Sequence, residues 1–112
     1  MGRGTDGGRV DVYYDRSGNL ITLDEWASAF DERYGEKTVR QEHVGDLWVS
    51  TVWLGLDHQH GNGPPLIFET MVFADESLTA EFCARYSTEA EAATGHERVV
   101  AALQAGLQTH EL

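Results

Sequence analysis

The stretch Trp53–Phe73, WLGLDHQHGNGPPLIFETMVF, decides how this chain folds. Two apolar runs, WLGL and LIFETMVF, flank Asp57, His58 and His60, which are followed by Gly61, Asn62, Gly63 and the pair Pro64–Pro65. Short runs rich in β-branched and aromatic residues, bounded by turn residues, read as buried strands. Glycine and asparagine tolerate positive φ, and proline holds φ near about −65°, so the intervening segment reads as a stiff turn. The same segment also carries a functional alternative, a metal or catalytic loop.

Upstream, KTVRQEHVGDLWVSTVWLGLD predicts two strands around the turn Gly45–Asp46, with Val44 facing Leu47 and Val39 opposite Val52. Downstream, TAEFCARY reads as a further strand, reached through residues 74–78. Four consecutive strands with short connections make an antiparallel meander. The strands Trp48–Leu56 and Leu66–Phe73 are apolar on both faces, which predicts that both faces are covered. Helices would cover one face, and the first hairpin or a second copy of the chain the other. Trp48 and Trp53 fall on opposite faces of one strand and cannot share a core. Whichever is exposed would mark a binding surface or a dimer contact.

Nearer the N-terminus, VDVYYDRSGNLIT predicts a hairpin, with Val10–Tyr14 and Leu20–Thr22 as its arms. Thr22 and Glu25 have capping-box spacing, and the helix they open places Leu23, Trp26, Ala27, Phe30 and Tyr34 on one face, with Gly35 as its stop. Asp24, Glu25, Asp31 and Glu32 form the opposite, acidic face. Thr88 and Glu91 repeat the capping pattern before a last helix, whose inner face would carry Ala92, His96, Val99, Val100, Leu103 and Leu107. Gly95, beside that stripe, would let the helix approach the sheet closely. The expected fold class is α+β, in the order β-β-α-β-β-β-β-α, with two helices packed mainly on one face of the meander. Residues 1–8 read as a flexible tail and 9–112 as a single domain.

Composition narrows the function. The chain has 19 acidic and 8 basic residues, a formal net charge of −11, which opposes direct binding to a nucleic-acid backbone. It remains compatible with a basic protein partner or a cation. No apolar run approaches the roughly 20 residues that a bilayer span needs, and MGRGTDGGR lacks the apolar region of a secretory signal. A single cysteine, Cys83, precludes an internal disulfide and fits a reducing, cytoplasmic setting.

Three constellations could carry chemistry. Asp57, His58 and His60 have spacing that could supply metal ligands, completed by His43 or Glu69 from a neighbouring strand. Glu69 lies on the side of its strand that carries Ile67, Met71 and Phe73, and His96 is the partner that the pattern suggests for it. Such a couple could move protons near neutral pH, or simply fix the helix on the sheet. Cys83 has no histidine set beside it, and Ser50 and Thr51 lie mid-strand without a nucleophile turn.

The segments VYYDRSGNLITLDEWA, VSTVWLGLDHQHGNGPPLIFETMVF and RYSTEAEAATGHERVV resemble a family of small proteins encoded in bacteriophage and prophage genomes, mostly of actinobacteria. The likeness spans nearly all of the chain after residue 9, and the two central strands are its most specific part. Asp57, His58, Gly63, Pro64, Pro65 and Glu69 fall inside the shared motif, whereas His60 does not map onto it. The resemblance implies a small accessory phage protein of the host cytoplasm and supplies no mechanism. The resulting expectation is a non-catalytic, cofactor-free protein that binds a macromolecular partner, such as an inhibitor of a host defence or nucleic-acid enzyme, with a homodimer as a candidate state. Its expected binding residues are Asp24, Glu25, Asp31, Glu32, Trp48 and Trp53. The alternatives are a metal-assisted hydrolase centred on Asp57 and His58, and a structural virion or assembly component.

Overall fold

The computed structural model describes residues 12–31, 37–57, 63–74, 77 and 79–112. It contains β1 (Tyr13–Tyr14), β2 (Leu20–Ile21), α1 (Leu23–Phe30), β3 (Thr38–Val44), β4 (Leu47–Trp53), β5 (Phe68–Ala74), β6 (Ala80–Tyr86) and α2 (Glu89–Gln104). A short 3-10 turn, Thr109–Glu111, follows α2. Strands β3 to β6 pair antiparallel in chain order, and β1 pairs with β2 in a separate two-stranded hairpin. The α+β architecture and element order expected from the sequence are therefore present.

Register decides which residues share a face. Val44 faces Leu47 as expected, but Thr38, not Val39, lies opposite Val52. A bulge between Thr38 and Arg40 absorbs the extra residue and frees Val39 to join the core around Trp53. In the centre of the sheet Val49, Thr51 and Trp53 of β4, with Phe68, Thr70 and Val72 of β5, turn towards α2 and are buried. Val49 and Val72 pack with Val99, Val100 and Leu103 of α2. Each such side chain, fully buried, contributes about 1.5–3 kcal/mol of hydrophobic stabilisation.

Both α1 and α2 begin with the complete capping box, on Thr22–Glu25 and Thr88–Glu91 respectively. Helix α1 is shorter than its pattern implies, because Asp31 is already extended. Its inward face is Trp26, Ala29 and Phe30, while Leu23 and Ala27 are exposed. Tertiary anchoring sets that rotation, since Trp26 Nε1 donates to Leu54 O at 2.8 Å. Gly55 allows this approach: it has φ of +75°, and a Cβ there would lie 2.5 Å from the Trp26 ring and 2.6 Å from Trp53. In α2 the expected inner face is buried from Ala92 to Leu103, but Leu107 lies beyond the helix end and is 40 % exposed.

The first hairpin packs on the same side of the sheet as α2. Trp53 Nε1 donates to Tyr14 O at 3.0 Å, and Tyr14 and Ile21 pack on the cluster of Trp53, Ile67, Phe68 and Ala92. Arg16 grips Glu89 of α2 with two bonds, Nε to Oε1 and Nη2 to Oε2, both 2.9 Å. The hairpin therefore does not cover the opposite face of the sheet, contrary to one of the two expectations for that face. Among the described residues, that face has no element packed on it.

Candidate functional site

The two sides of the sheet treat polar side chains differently. Under α2, His96 is fully buried, with Nδ1 2.7 Å from Thr51 Oγ1 and Nε2 2.8 Å from Glu42 Oε1. Thr51 Oγ1 in turn lies 2.6 Å from Thr70 Oγ1. An ionised Glu42 can only accept, so Nε2 carries the proton. In the tautomer with its proton on Nε2, Nδ1 accepts from Thr51, and Thr51 accepts from Thr70. The chain is fully satisfied and runs from Glu42, whose side chain is 43 % exposed, to two hydroxyls sealed from solvent.

Hydroxyl, imidazole and carboxylate in sequence invite comparison with a nucleophilic triad. The geometry opposes it. Thr51 and Thr70 have no exposed surface and lie between sheet and helix, so no substrate reaches the hydroxyl. A groove of about 300 Å³ runs between β6 and α2 along Phe82, Tyr86, Val99 and Leu107, without Thr51 or His96 in its walls.

Glu69 does not meet His96. It points to the other side of the sheet, where Oε2 accepts from Arg85 Nε at 3.0 Å and from the Cys83 thiol at 3.2 Å. Alternation groups Glu69 correctly with Met71 and Phe73, whereas Ile67, expected beside them, packs in the core with Trp53, Phe68 and Ala92; the side that carries Glu69 is not the one the helix covers. The side chains bonded to His96 were legible only in register: Thr51 pairs with Thr70 across β4 and β5, each between two core residues. Cys83 is held as a thiol, with its pKa raised to about 11, first by partial burial and then by the adjacent Glu69 carboxylate.

The outer face presents Trp48 and Val52 from β4 and Met71 and Phe73 from β5, all half-buried, with Trp48 directly opposite Phe73. His43 of β3 lies across Trp48 with ring centroids 4.5 Å apart, and Gln41 Nε2 donates to Ser50 Oγ at 3.2 Å. The Glu69–Arg85 pair is the only ion pair on this face among the described residues. Of the two tryptophans, Trp53 is a core residue and Trp48 is the one on the open face.

The remaining candidates divide. Asp57 Oδ1 accepts from Leu66 N at 3.0 Å and so closes the base of the loop that opens the central motif. His58 and His60 lie outside the described residues, and the described residues hold no cluster of three or more metal-ligating side chains. On α1, Glu25 is engaged in the capping box and Asp31 caps the C-terminus; Asp24 is exposed, and Glu32 lies outside the described residues. No described helix is long and apolar enough to cross a membrane. No known family model, curated protein or solved structure matches this chain.

Proposed function

We propose that this protein is a small acidic accessory protein, of the bacteriophage type that its central strands resemble, and that it acts without catalysis by binding another protein chain. The observation that carries the reading is the face of the sheet on which no described element packs, where Trp48, Val52, Met71 and Phe73 lie half-buried. Contiguous apolar surface of this kind marks protein–protein contact, and tryptophan is enriched among the residues that dominate binding energy. The groups best suited to acid–base work, His96 and Glu69, are engaged in internal bonds. A cytoplasmic site of action and inhibition of a host enzyme are the concrete form of this reading.

The test is capture of protein chains, its own included, on immobilised protein, compared with Trp48→Lys and Phe73→Lys variants that keep the far-ultraviolet circular dichroism of the parent. Loss of the captured chains in both variants is expected. Retention of every one of them would remove the open face as the site of action.

A further inference from the structure

We infer that the partner on the open face is a second copy of this chain, stacked sheet on sheet across a two-fold axis. The inference rests on the reading of that face as a contact surface and names its occupant. Two observations favour a copy over a foreign chain.

The first is charge. The chain carries a formal net charge of −11, yet among the described residues its outer face holds two carboxylates, Glu69, paired with Arg85 Nε at 3.0 Å, and Glu81 at the β6 edge, which accepts from Thr109 Oγ1 at 3.0 Å. A basic partner drawn by the net charge would find only those two carboxylates among the described residues of this face, one of them already ion-paired. A mainly apolar surface with little net charge is matched by another of its kind, and the second copy supplies one with the same spacing. In an isologous contact the same patch serves both sides, so no separate complement has to exist.

The second is area. Four strands of seven residues, at roughly 3.4 Å per residue and 4.8 Å between strands, give a projected footprint of roughly 450 Å². A standard stable interface buries roughly 800 Å² of accessible surface per partner, so most of this face would have to be covered. Antiparallel sheets stack face to face about 10 Å apart with interdigitating side chains. Trp48, Met71 and Phe73 are the large side chains that would fill that gap, as the core of an eight-stranded sandwich with the helices outside.

The acids left outside the contact repel one another, and salt screens that repulsion over a Debye length of about 8 Å at physiological ionic strength. Self-association should therefore tighten as salt is raised, whereas capture of a basic foreign partner should weaken.

Sedimentation equilibrium on the purified full chain alone is the deciding experiment, at about 1–100 µM and at low and high sodium chloride. The expected mass is twice 12.4 kDa, with dissociation favoured at low salt. Trp48→Lys should raise the dissociation constant at least about 30-fold, as loss of a central anchor does. Ser50→Arg, which adds bulk and charge at a half-buried outer position without touching the core, should do the same and guards against a variant that misfolds. A monomer at 100 µM in high salt overturns the inference, and so does a dimer that both variants leave intact. A monomer that still captures a foreign chain through Trp48 overturns only the second copy and leaves the binding reading in place. Neither self-association nor face-dependent capture would remove both.

Discussion

His96 Nε2 lies 2.8 Å from Glu42 Oε1, and this bond links the buried centre of α2 to an edge strand of the sheet. At its other nitrogen the ring reaches Thr51, so one side chain of α2 is fastened to two strands at once. A leucine at this position would pack but would leave Thr51 without its imidazole partner. Its place in the middle of an apolar stripe follows from what it holds.

His96→Leu should lower stability by about 1–3 kcal/mol, the cost of stranding a buried hydroxyl, even though the new side chain is apolar. Adding Thr51→Val together with Thr70→Val should recover part of that loss, because both hydroxyls of the buried chain are then removed with the imidazole. Glu42→Gln should cost less than His96→Leu, since the amide oxygen can still accept and the site is 43 % exposed. Urea unfolding of the three proteins checks all of this, and a His96→Leu variant at or above parental stability would refute it.

Gly95→Ala should destabilise the protein although alanine is the better helix former. The Tyr86 ring occupies the place where the new Cβ would sit. Helix propensity gains about 1 kcal/mol, and overpacking at a buried contact costs about 1–3 kcal/mol. The net change should be a loss, read from the thermal midpoint. A rise in that midpoint would show that the Tyr86 ring moves aside freely.

Cys83 should alkylate slowly at pH 8, since a thiol with pKa of about 11 is ionised in only about one molecule in a thousand there. Glu69→Gln removes the carboxylate that accepts its proton and repels its thiolate, so the rate with iodoacetamide should rise. Partial burial, the larger cause, remains, so the rate should not reach that of a free thiol. The raised pKa also means that the folded state holds this proton more tightly than the unfolded state. Its stabilising effect is therefore present below about pH 9 and is lost as pH rises towards 11. An unchanged rate in Glu69→Gln would contradict the assigned bond.

If the acidic side of α1 contributes to partner binding, Asp24→Lys is the substitution that tests it without breaking the cap. Glu25→Lys would remove the capping carboxylate, which accepts from Thr22 N at 2.8 Å, and should cost about 1 kcal/mol of stability by that route alone. Asp24→Lys also meets the helix dipole unfavourably, but should cost less, about 0.3–1 kcal/mol. Partner capture that falls with Asp24→Lys at unchanged fold would assign a role to α1, and unchanged capture would confine the contact to the sheet.

Much of the fold was legible in local pattern. The capping boxes at Thr22 and Thr88, the turn at Gly45–Asp46 and the strand character of Trp48–Trp53 and Phe68–Phe73 all depend on neighbours within a few residues. Less of the candidate site was legible. The pattern put Glu69 on the side of Met71 and Phe73, and His96 on the inner side of its helix, yet paired the two wrongly. Period-two alternation separates two faces of a strand without saying which one a helix will cover.

By itself the sequence determined the element order, the pairing of consecutive strands and the two-sided apolar character of the sheet, because capping, turn chemistry and hydrophobic period are short-range properties. Only the tertiary structure decided that the first hairpin lies on the α2 side, fastened by Arg16 to Glu89 and by Trp53 to Tyr14. It also decided that His96 joins Thr51 and Glu42, and that Trp48 lies on the face away from α2. The contacts of the hairpin and of His96 join residues 39 or more positions apart, and local periodicity encodes neither these nor the bulge at Val39 and the close approach at Gly55.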